Sequence, residues 1–502
     1  MRGKVNLVGA GPGDYGLMTL KGLACIQEAD VMVYDRLANE DYLKEAKVGC
    51  EFIYVGKASS NHTLTQDEIN EVIVAKAKEG KIVTRLKGGD PYVFGRGGEE
   101  GEYLLENGIP FEVVPGITSA IGGLCYAGIP ITHRDYTSSF HVVTGHLKDD
   151  EKSSINWNAL AHMGGTIVFL MGVSNLEKIC HNLVAEGMSS EMDVAIINWA
   201  TRANQKVVTG NLGTICEVAK REKVTSPSLI VVGEVVKLRE KLNFFEQKPL
   251  FGKTIMTTRA RSQSSRLRQK LQDLGASVIE FPTIRIEEIQ PNQELEQAIE
   301  RLSDYTYLIF TSQNTVEIFF EKLYAKGLDA RKLSHMKLVA VGQATGDRMK
   351  KYGVIADIIP PRFVAESIYE TLKDKLTKSD KILMPKAEKT RELLGKSLAA
   401  ICEVSEVCVY RTVLEEGPKE EILEKLKQGQ IDYITFTSSS TVTNLLELLG
   451  KENSELLNGS KLISIGEITS ETMELMGLQV YAMPEQFTLD EMITCIVSDN
   501  LK

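Results

Sequence analysis

The chain is short of several features that would place it in other classes of protein. No apolar run in its 502 residues reaches the roughly 18 residues that a membrane-spanning helix needs, so we expect no membrane partner. Lys and Arg number 58 against 68 Asp and Glu, and the resulting net charge of -10 disfavours a nucleic-acid partner. A local basic pocket can still bind an anionic ligand.

Metal-binding and disulfide patterns are missing as well. The eight cysteines are scattered, and none forms a C-x-x-C pair or stands at zinc-finger spacing from a histidine. His141 and His146 lie in a strand-like segment, where their spacing does not suit a metal pair on one helix face. We therefore predict no metal site and expect buried, reduced thiols in a cytoplasmic protein.

What is present points to a globular α/β protein with several domains. Hydrophobic residues make up 43% of the chain and charged residues 25%, and the length is too great for one core. Continuous apolar strands alternate with amphipathic helices on both sides of a break near 242–256, where Pro249 stands. The N-terminus runs directly into a strand and a glycine turn, so we expect no signal peptide.

A glycine-rich stretch, LKGGDPYVFGRGGEE at Leu86–Glu100, predicts a ligand-binding loop. Glycine lets the backbone adopt positive φ and lets a ligand approach closely. Ordinary strand-to-helix loops are shorter, at about 2–6 residues. An ordinary glycine-rich turn is the alternative.

The turn after the first strand, GAGPGD at Gly9–Asp14, does not fit a dinucleotide fold. The G-x-G-x-x-G pattern would need glycine where Asp14 stands, and Pro12 has no N–H to donate.

Six motifs together carry a resemblance over about residues 3–240: GAGPGD, VYDRL, VGK, LKGGDPYVFGRGGEE, VPGITSA and GIPITHRDY. In this order they resemble the tetrapyrrole methylase family, and within it the uroporphyrinogen-III C-methyltransferases. The resemblance implies two α/β domains with S-adenosylmethionine in the cleft between them. It also implies a set of cofactor-binding residues: Pro12, Gly88, Gly89, Asp90, Val93, Thr118, Ser119, Met171 and Ala200. Ala200 stands where the family has glycine.

The same resemblance implies a catalytic pair, Asp35 and Lys57, each at a strand end. A carboxylate suits the base that removes a proton from the methylated product, and an ammonium suits the acid role. Asp35 could instead form a salt bridge to Arg36 or cap a turn, and Lys57 could bind a substrate carboxylate. Arg96 and Arg134 are candidate clamps for the carboxylates of the macrocycle, or else members of internal ion pairs.

An internal repeat marks the second half of the chain. YLIFTSQNTVEIF (307–319) is similar to YITFTSSSTVTNL (433–445), and AVGQATGDRMKKYG (340–353) is similar to SIGEITSETMELMG (464–477). In each copy hydroxyl residues stand where a strand gives way to a helix. They can cap the helix, or the helix start can bind an anion.

These motifs, together with VYRT, resemble the uroporphyrinogen-III synthase family over about residues 250–500. The resemblance implies two α/β lobes joined by crossing strands at 282–286 and 407–411, with an inner lobe at about 287–408. It assigns Tyr410 to assist the leaving hydroxyl, although Tyr410 could simply pack between lobes. The implied substrate contacts are Thr311, Ser312, Thr345, Ser438, Ser439 and Thr469. Glu467 departs from the family, which often has proline there.

Our prediction is a bifunctional enzyme, with a methylase domain at 1–243 and a synthase domain at 251–502. It would cyclise hydroxymethylbilane to uroporphyrinogen III and methylate this twice with S-adenosylmethionine to precorrin-2. A later corrin substrate, or a non-catalytic tetrapyrrole-binding second half, are the alternatives. We expect a homodimer formed through the first half, with small tetrapyrroles as ligands. The sequence leaves open whether the product goes to sirohaem or cobalamin, and whether it is channelled.

Overall fold

A computed structural model describes residues 3–56, 64–145, 155–259, 261–360, 365–389, 393–415 and 417–501. It divides into two compact units. The first unit comprises Met1–Thr254, Gln269–Val278 and Val497–Lys502, and the second comprises Ile255–Arg268 and Ile279–Ile496. Within the described ranges, every helix is too short or too polar to cross a bilayer.

The described part of residues 3–253 contains ten strands and eight α-helices. The strands are β1 Lys4–Gly9, β2 Val31–Tyr34, β3 Glu51–Tyr54, β4 Ile82–Lys87, β5 Phe111–Val114, β6 Phe140–Thr144, β7 Thr166–Leu170, β8 Asp193–Asn198, β9 Lys206–Asn211 and β10 Ser228–Val232. The helices are α1 Leu20–Glu28, α2 Gln66–Lys78, α3 Gly97–Glu106, α4 Ser119–Tyr126, α5 Trp157–His162, α6 Leu176–Ala185, α7 Ile215–Arg221 and α8 Arg239–Leu242.

The first five strands form a parallel sheet in the order β3-β2-β4-β1-β5. Its central strands are buried on both faces, as expected for a parallel sheet covered by helices on each side. Parallel strands bring all their carboxyl ends to one edge, and ligands of open α/β sheets bind in the crevice there. The glycine turns after β1 and β4 therefore meet at this edge.

The remaining strands of the first unit form a mixed sheet in the order β6-β7-β10-β8-β9. Strands β6 and β7 are parallel, whereas β10 runs antiparallel to both β7 and β8, and β9 antiparallel to β8. The first unit thus has two α/β domains, as the family resemblance implied.

Strands β11–β20 and helices α9–α19 follow in the chain and belong mainly to the second unit, although parts of α9, β12 and α19 fall in the first. The strands are β11 Thr254–Thr257, β12 Ser277–Glu280, β13 Ile284–Glu288, β14 Tyr307–Phe310, β15 Lys337–Ala340, β16 Lys381–Ala387, β17 Glu403–Leu414, β18 Tyr433–Phe436, β19 Lys461–Ser464 and β20 Val480–Ala482. The helices are α9 Arg261–Asp273, α10 Gln293–Glu300, α11 Gln313–Ala325, α12 Gln343–Lys351, α13 Ala365–Leu372, α14 Leu393–Ala399, α15 Lys419–Lys427, α16 Ser439–Leu449, α17 Ser454–Leu457, α18 Glu467–Leu475 and α19 Leu489–Asn500.

Two five-stranded sheets organise these elements. The outer sheet has the order β12-β11-β18-β19-β20, and the inner sheet has the order β13-β17-β16-β14-β15. The long strand β17 pairs in parallel with β16 and, over Tyr410–Leu414, antiparallel with β13. This ladder begins a few residues later than the predicted crossing strands. The internal repeat corresponds to β14-α11-β15-α12 and β18-α16-β19-α18.

Candidate active sites

Two glycine loops join at the carboxyl edge of the first sheet. The N–H of Gly11, after β1, donates to the carbonyl of Gly89, after β4, at 3.1 Å, and the N–H of Gly89 donates back to Gly11 at 2.8 Å. A methyl group added at Gly9 would lie 2.5 Å from the backbone nitrogen of Gly116, and one added at Gly116 would collide with the carbonyl oxygen of Gly89. Only glycine therefore allows these loops to pack backbone against backbone.

Asp90 fastens the loop after β4 to the loop after β5. One carboxylate oxygen accepts from the N–H of Gly116 at 2.9 Å, and the other accepts from the N–H of Tyr92 at 2.8 Å. The carboxylate thus holds the shape of the crevice. Gly88 packs against Leu37, which leaves no room for a Cβ.

Two cavities adjoin these loops. One of about 500 Å³ is lined by Tyr92, Val93, Phe94, Thr118, Ile121, Phe140 and Val142. The other, of about 480 Å³, is lined by Pro91, Tyr92, Phe94, Arg96, Gly97, Gly98, Glu99 and Met171. Their sizes fall in the range of small-molecule sites, about 300–1,000 Å³. Tyr92 and Met171 are 59% and 53% exposed, so apolar surface is left facing these spaces.

The other predicted cofactor residues border the same edge. Thr118 caps α4, and its hydroxyl accepts from the N–H of Ala120, while Ser119 is the first residue of that helix. Pro12 packs on Gly122 of the same helix, where an added Cβ would lie 2.9 Å from the proline ring. Ala200 is buried against Gly123.

The loop that carries Ala200 is strained. Trp199 has φ 46° and Thr201 has φ 68°, left-handed values that a β-branched threonine rarely adopts. Such conformations cost about 1–3 kcal/mol each and persist only where the surroundings enforce them, commonly at ligand sites. Phe94, Arg96 and Met171, which line the cavities, also have positive φ.

Asp35, the predicted base, lies just after β2 and is held at both oxygens. Its Oδ1 accepts from the N–H of Leu37 at 3.0 Å, and its Oδ2 contacts Nη2 of Arg85 at 3.2 Å. Asp35 therefore caps a turn, as one alternative proposed, but its ionic partner is Arg85 of β4. Lys57 lies outside the described residues.

Behind Asp35 lies a buried chain of charged groups. Arg85, 5% exposed, contacts the fully buried Glu100 at 3.4 Å, and Lys87 donates to the same Glu100 oxygen at 2.8 Å. Burial lowers the pKa of Lys87, and the positive charge of Arg85 lowers it further. Sequence reasoning missed this network. The available signal was the run IVTRLK, which places two cations in a strand that must be covered on both faces.

The two predicted substrate arginines differ in surroundings. Arg96 forms an exposed ion pair with Glu99, with Nη2 2.6 Å from the carboxylate, at the rim of the second cavity. Arg134 is exposed on the segment between α4 and β6.

In the second unit, Tyr410 lies where β17 passes from β16 to β13. It is 8% exposed, and its hydroxyl lies 3.3 Å from the hydroxyl of Ser312. Ser312 caps α11 in a reciprocal arrangement with Thr315, and Thr311 precedes it, half-buried. Ser312 therefore caps the helix, as one alternative predicted, and its hydroxyl lies beside the phenol of Tyr410.

The second copy of the repeat has the same construction. Ser438 caps α16 reciprocally with Thr441, and the hydroxyl of Ser439 donates to the carbonyl of Ile468 at 3.1 Å. Thr345 and Thr469 are buried in the first turns of α12 and α18.

Glu467 is the exposed first residue of α18. A carboxylate is favoured by the positive end of the helix dipole at this position. This local interaction stabilises an acidic side chain at the start of α18.

Two models of known protein families match this chain, one in each half. Residues 4–216 match the model of the tetrapyrrole (corrin/porphyrin) methylases, and residues 265–494 match that of uroporphyrinogen-III synthase HemD. The porphyrin biosynthesis protein HemD of Ruminiclostridium josui is 40% identical over 492 residues, 98% of this chain and 97% of that protein.

Two further proteins match the first half. The uroporphyrinogen-III C-methyltransferase of Priestia megaterium is 56% identical over 234 residues, 47% of this chain and 98% of that protein. A Thermus thermophilus uroporphyrin-III C-methyl transferase, solved in complex with S-adenyl homocysteine, is 37% identical, with a TM-score of 0.41. The match covers 47% of this chain and 94% of that one. The chain belongs to the tetrapyrrole methylase family over its first half and to the uroporphyrinogen-III synthase family over its second.

Proposed function

We propose that this chain carries out two consecutive steps of tetrapyrrole biosynthesis. The second unit cyclises hydroxymethylbilane to uroporphyrinogen III, and the first unit methylates that product twice with S-adenosylmethionine to give precorrin-2. The observation that supports this most directly is that both kinds of unit occur in one chain, since one family model matches each half. The second unit would make what the first one consumes.

The crevice of the first unit fits S-adenosylmethionine. The glycine loops pack backbone against backbone and bring no side chains of their own to the crevice, and a cavity of about 500 Å³ adjoins them. Gly88, Gly89, Thr118 and Ser119 would hold the cofactor by hydrogen bonds, with Pro12, Val93, Met171 and Ala200 packed against it. Asp90 would hold the loops in place. The bound cofactor supplies an electrophilic methyl group.

The residues of the chain then have three tasks in methylation. Arg96 and Arg134 bind carboxylates of the macrocycle and orient it, because charge-assisted hydrogen bonds are the stronger ones. The apolar walls exclude water and keep the reacting atoms close, at about 3–3.5 Å. Carbon–methyl bond formation leaves a positive charge on the macrocycle as the cofactor sulfur departs with the electron pair of its methyl bond, and Asp35, held by Arg85, accepts the proton that the macrocycle then releases from a neighbouring position.

In the second unit, we assign Tyr410 to assist departure of the hydroxyl from hydroxymethylbilane. Its phenol, oriented by Ser312 at 3.3 Å, can donate a hydrogen bond to the leaving oxygen. The hydroxyls and N-terminal N–H groups of α11 and α16 bind substrate carboxylates. These contacts would hold the linear tetrapyrrole while its ends are joined.

A coupled assay tests the proposal on the full chain. Hydroxymethylbilane and radiolabelled S-adenosylmethionine are supplied together, and the products are separated by chromatography. We expect doubly labelled precorrin-2. Methylation only when uroporphyrinogen III is supplied would reduce the second unit to a tetrapyrrole-binding module, and labelling only of later corrins would reject uroporphyrinogen III as the substrate.

Two variants assign the steps to their units. Asp35→Asn should accumulate uroporphyrinogen III from hydroxymethylbilane, whereas Tyr410→Phe should still methylate added uroporphyrinogen III. Loss of both activities in either variant would contradict this assignment. Homodimerisation through the first unit stays a prediction. Light scattering of the full chain should give twice the mass of one chain.

A further inference from the structure

The segment that follows α8, here called the connector and comprising residues 243–251, is packed rather than extended as a free tether. It belongs to the first compact unit and lies just before β11. Phe245 is 4% exposed and Leu250 is fully buried. From the sequence alone, this stretch is predicted to be a break between two domains. Its burial implies that it contributes to the unit in which it lies.

One route leads from the connector to the first glycine turn through aromatic rings. The ring of Phe245 lies 4.7 Å from that of Tyr126, at the end of α4. The Tyr126 hydroxyl donates to Oδ2 of Asp14 at 2.8 Å. Burial raises the pKa of Tyr126, and this hydrogen bond raises it further, so the phenol stays a donor. Asp14 closes the turn that contains Pro12.

A second route runs through hydrogen bonds. Oε1 of Glu246 accepts from the side-chain amide of Gln205 at 2.8 Å, and the carbonyl oxygen of that amide accepts from the N–H of Thr201 at 2.8 Å. The Thr201 hydroxyl then accepts from the N–H of Asp14 at 3.0 Å. Glu246 is itself held by Arg239 of α8.

Both routes end at Asp14, and the second passes through the strained residue Thr201. A left-handed threonine needs surrounding contacts to keep it there, and the Glu246–Gln205 pair provides the contact to its N–H. The two loops that are held carry Pro12 and Ala200, the residues that the proposed function packs against the cofactor.

We propose that Phe245 and Glu246 are positioning residues for cofactor binding, so that the connector between the two catalytic units sets the affinity of the first unit for S-adenosylmethionine. This rests on the proposed function, because it takes the crevice to be the cofactor site. The connector reaches the two loops through Tyr126 and Gln205, and none of its residues lines either cavity. Its loss should therefore weaken binding without slowing the reaction once the cofactor is bound.

The test uses the full chain with Glu246→Ala, and with Glu240→Ala as the matched control. Glu240 is an exposed carboxylate of α8, six positions away. Calorimetric titration with S-adenosylhomocysteine measures affinity, and steady-state kinetics separate KM from kcat. We expect Glu246→Ala to raise Kd and KM about tenfold or more, as for loss of one charge-assisted hydrogen bond. For Glu246→Ala, the kcat at saturating cofactor and the synthase rate should stay near their wild-type values. The control Glu240→Ala should keep the wild-type Kd and KM.

A second variant, Tyr126→Phe, removes only the hydroxyl bond to Asp14 and keeps the ring. It should also raise Kd with little change in kcat, and it remains informative if Glu246→Ala does not fold. Wild-type affinity in a folded Glu246→Ala or Tyr126→Phe variant, or a fall in kcat without a change in Kd, would overturn the inference. Absence of binding to the wild-type chain would instead overturn the proposed cofactor site.

Discussion

Replacing Arg85 with lysine tests whether the buried charge network orients the catalytic carboxylate. The guanidinium spans Asp35 on one side and Glu100 on the other, and it also donates to the carbonyls of Val33 and Leu86. A lysine keeps the positive charge beside Glu100. Its single ammonium cannot reach both carboxylates in the fixed fork geometry of arginine.

The expected size follows from the contact that is lost. A hydrogen bond to a charged group contributes about 1.5–3 kcal/mol. If that contact acts fully in the transition state, kcat for methylation falls about 10- to 150-fold, since about 1.4 kcal/mol corresponds to a tenfold change in rate. The free energy of unfolding should fall by only about 1–3 kcal/mol, because Lys87 and the new lysine still neutralise Glu100.

The assay measures initial methylation rates at saturating uroporphyrinogen III and cofactor, with synthase turnover as an internal check on folding. The same substitution is then made in an Asp35→Asn background. If Arg85 acts through Asp35, the double variant should be no slower than Asp35→Asn alone. A full multiplicative loss in the double variant would refute the reasoning, as would an unchanged kcat in Arg85→Lys.

Three further predictions concern other parts of the chain. Tyr410→Phe should lower the synthase rate about 100-fold while leaving the melting temperature and the methylation of added uroporphyrinogen III unchanged; a normal synthase rate would remove the phenol from the mechanism. Gly116→Ala should abolish measurable cofactor binding, because its methyl group would meet the Gly89 carbonyl, whereas Gly213→Ala has ordinary clearance and should bind normally; equal affinities would show that the loops can separate. Since the pKa of Tyr126 is raised, its hydrogen bond should stabilise the fold fully below pH ~10 and fail only as pH rises through the folded-state value. The difference in unfolding free energy between wild type and Tyr126→Phe should therefore be constant from about pH 7 to 9 in urea titrations; a difference that vanishes in that interval would contradict the reasoning.

The glycine loops could be recognised from the sequence because their information is local. A cluster of glycines directly after an apolar strand predicts an unusual backbone whatever the rest of the fold does. The positions of the loops at one edge follow from parallel strands alone. The hydroxyl residues that begin α11 and α16 were likewise predictable, since capping depends on residues within one turn.

Partners that lie far apart in the chain could not be predicted in this way. Asp35 has Arg36 beside it in sequence, yet it pairs with Arg85, 50 positions away, because the sheet places β2 next to β4. The bond between Asp14 and Thr201 joins residues 187 positions apart. Strand periodicity also carries no direction, so the antiparallel pairing of β8, β9 and β10 was not foreseeable.

In the second unit, the strands of the inner sheet lie in sequence between β12 and β18 of the outer sheet, and this order affects how the unit folds. Strands β11 and β18 of the outer sheet are far apart in the chain, and the Thr258 hydroxyl bonds to the carbonyl of Thr435 across 177 positions. Closing a flexible loop of that length costs on the order of 4–5 kcal/mol of chain entropy. The inner sheet is built from one continuous segment of the chain. Its pairing of Ile284 with Leu414 brings together the chain segments that precede β13 and follow β17, which carry the outer strands. Folding of the inner sheet therefore shortens the search for the outer one, and we expect the outer strands to join last.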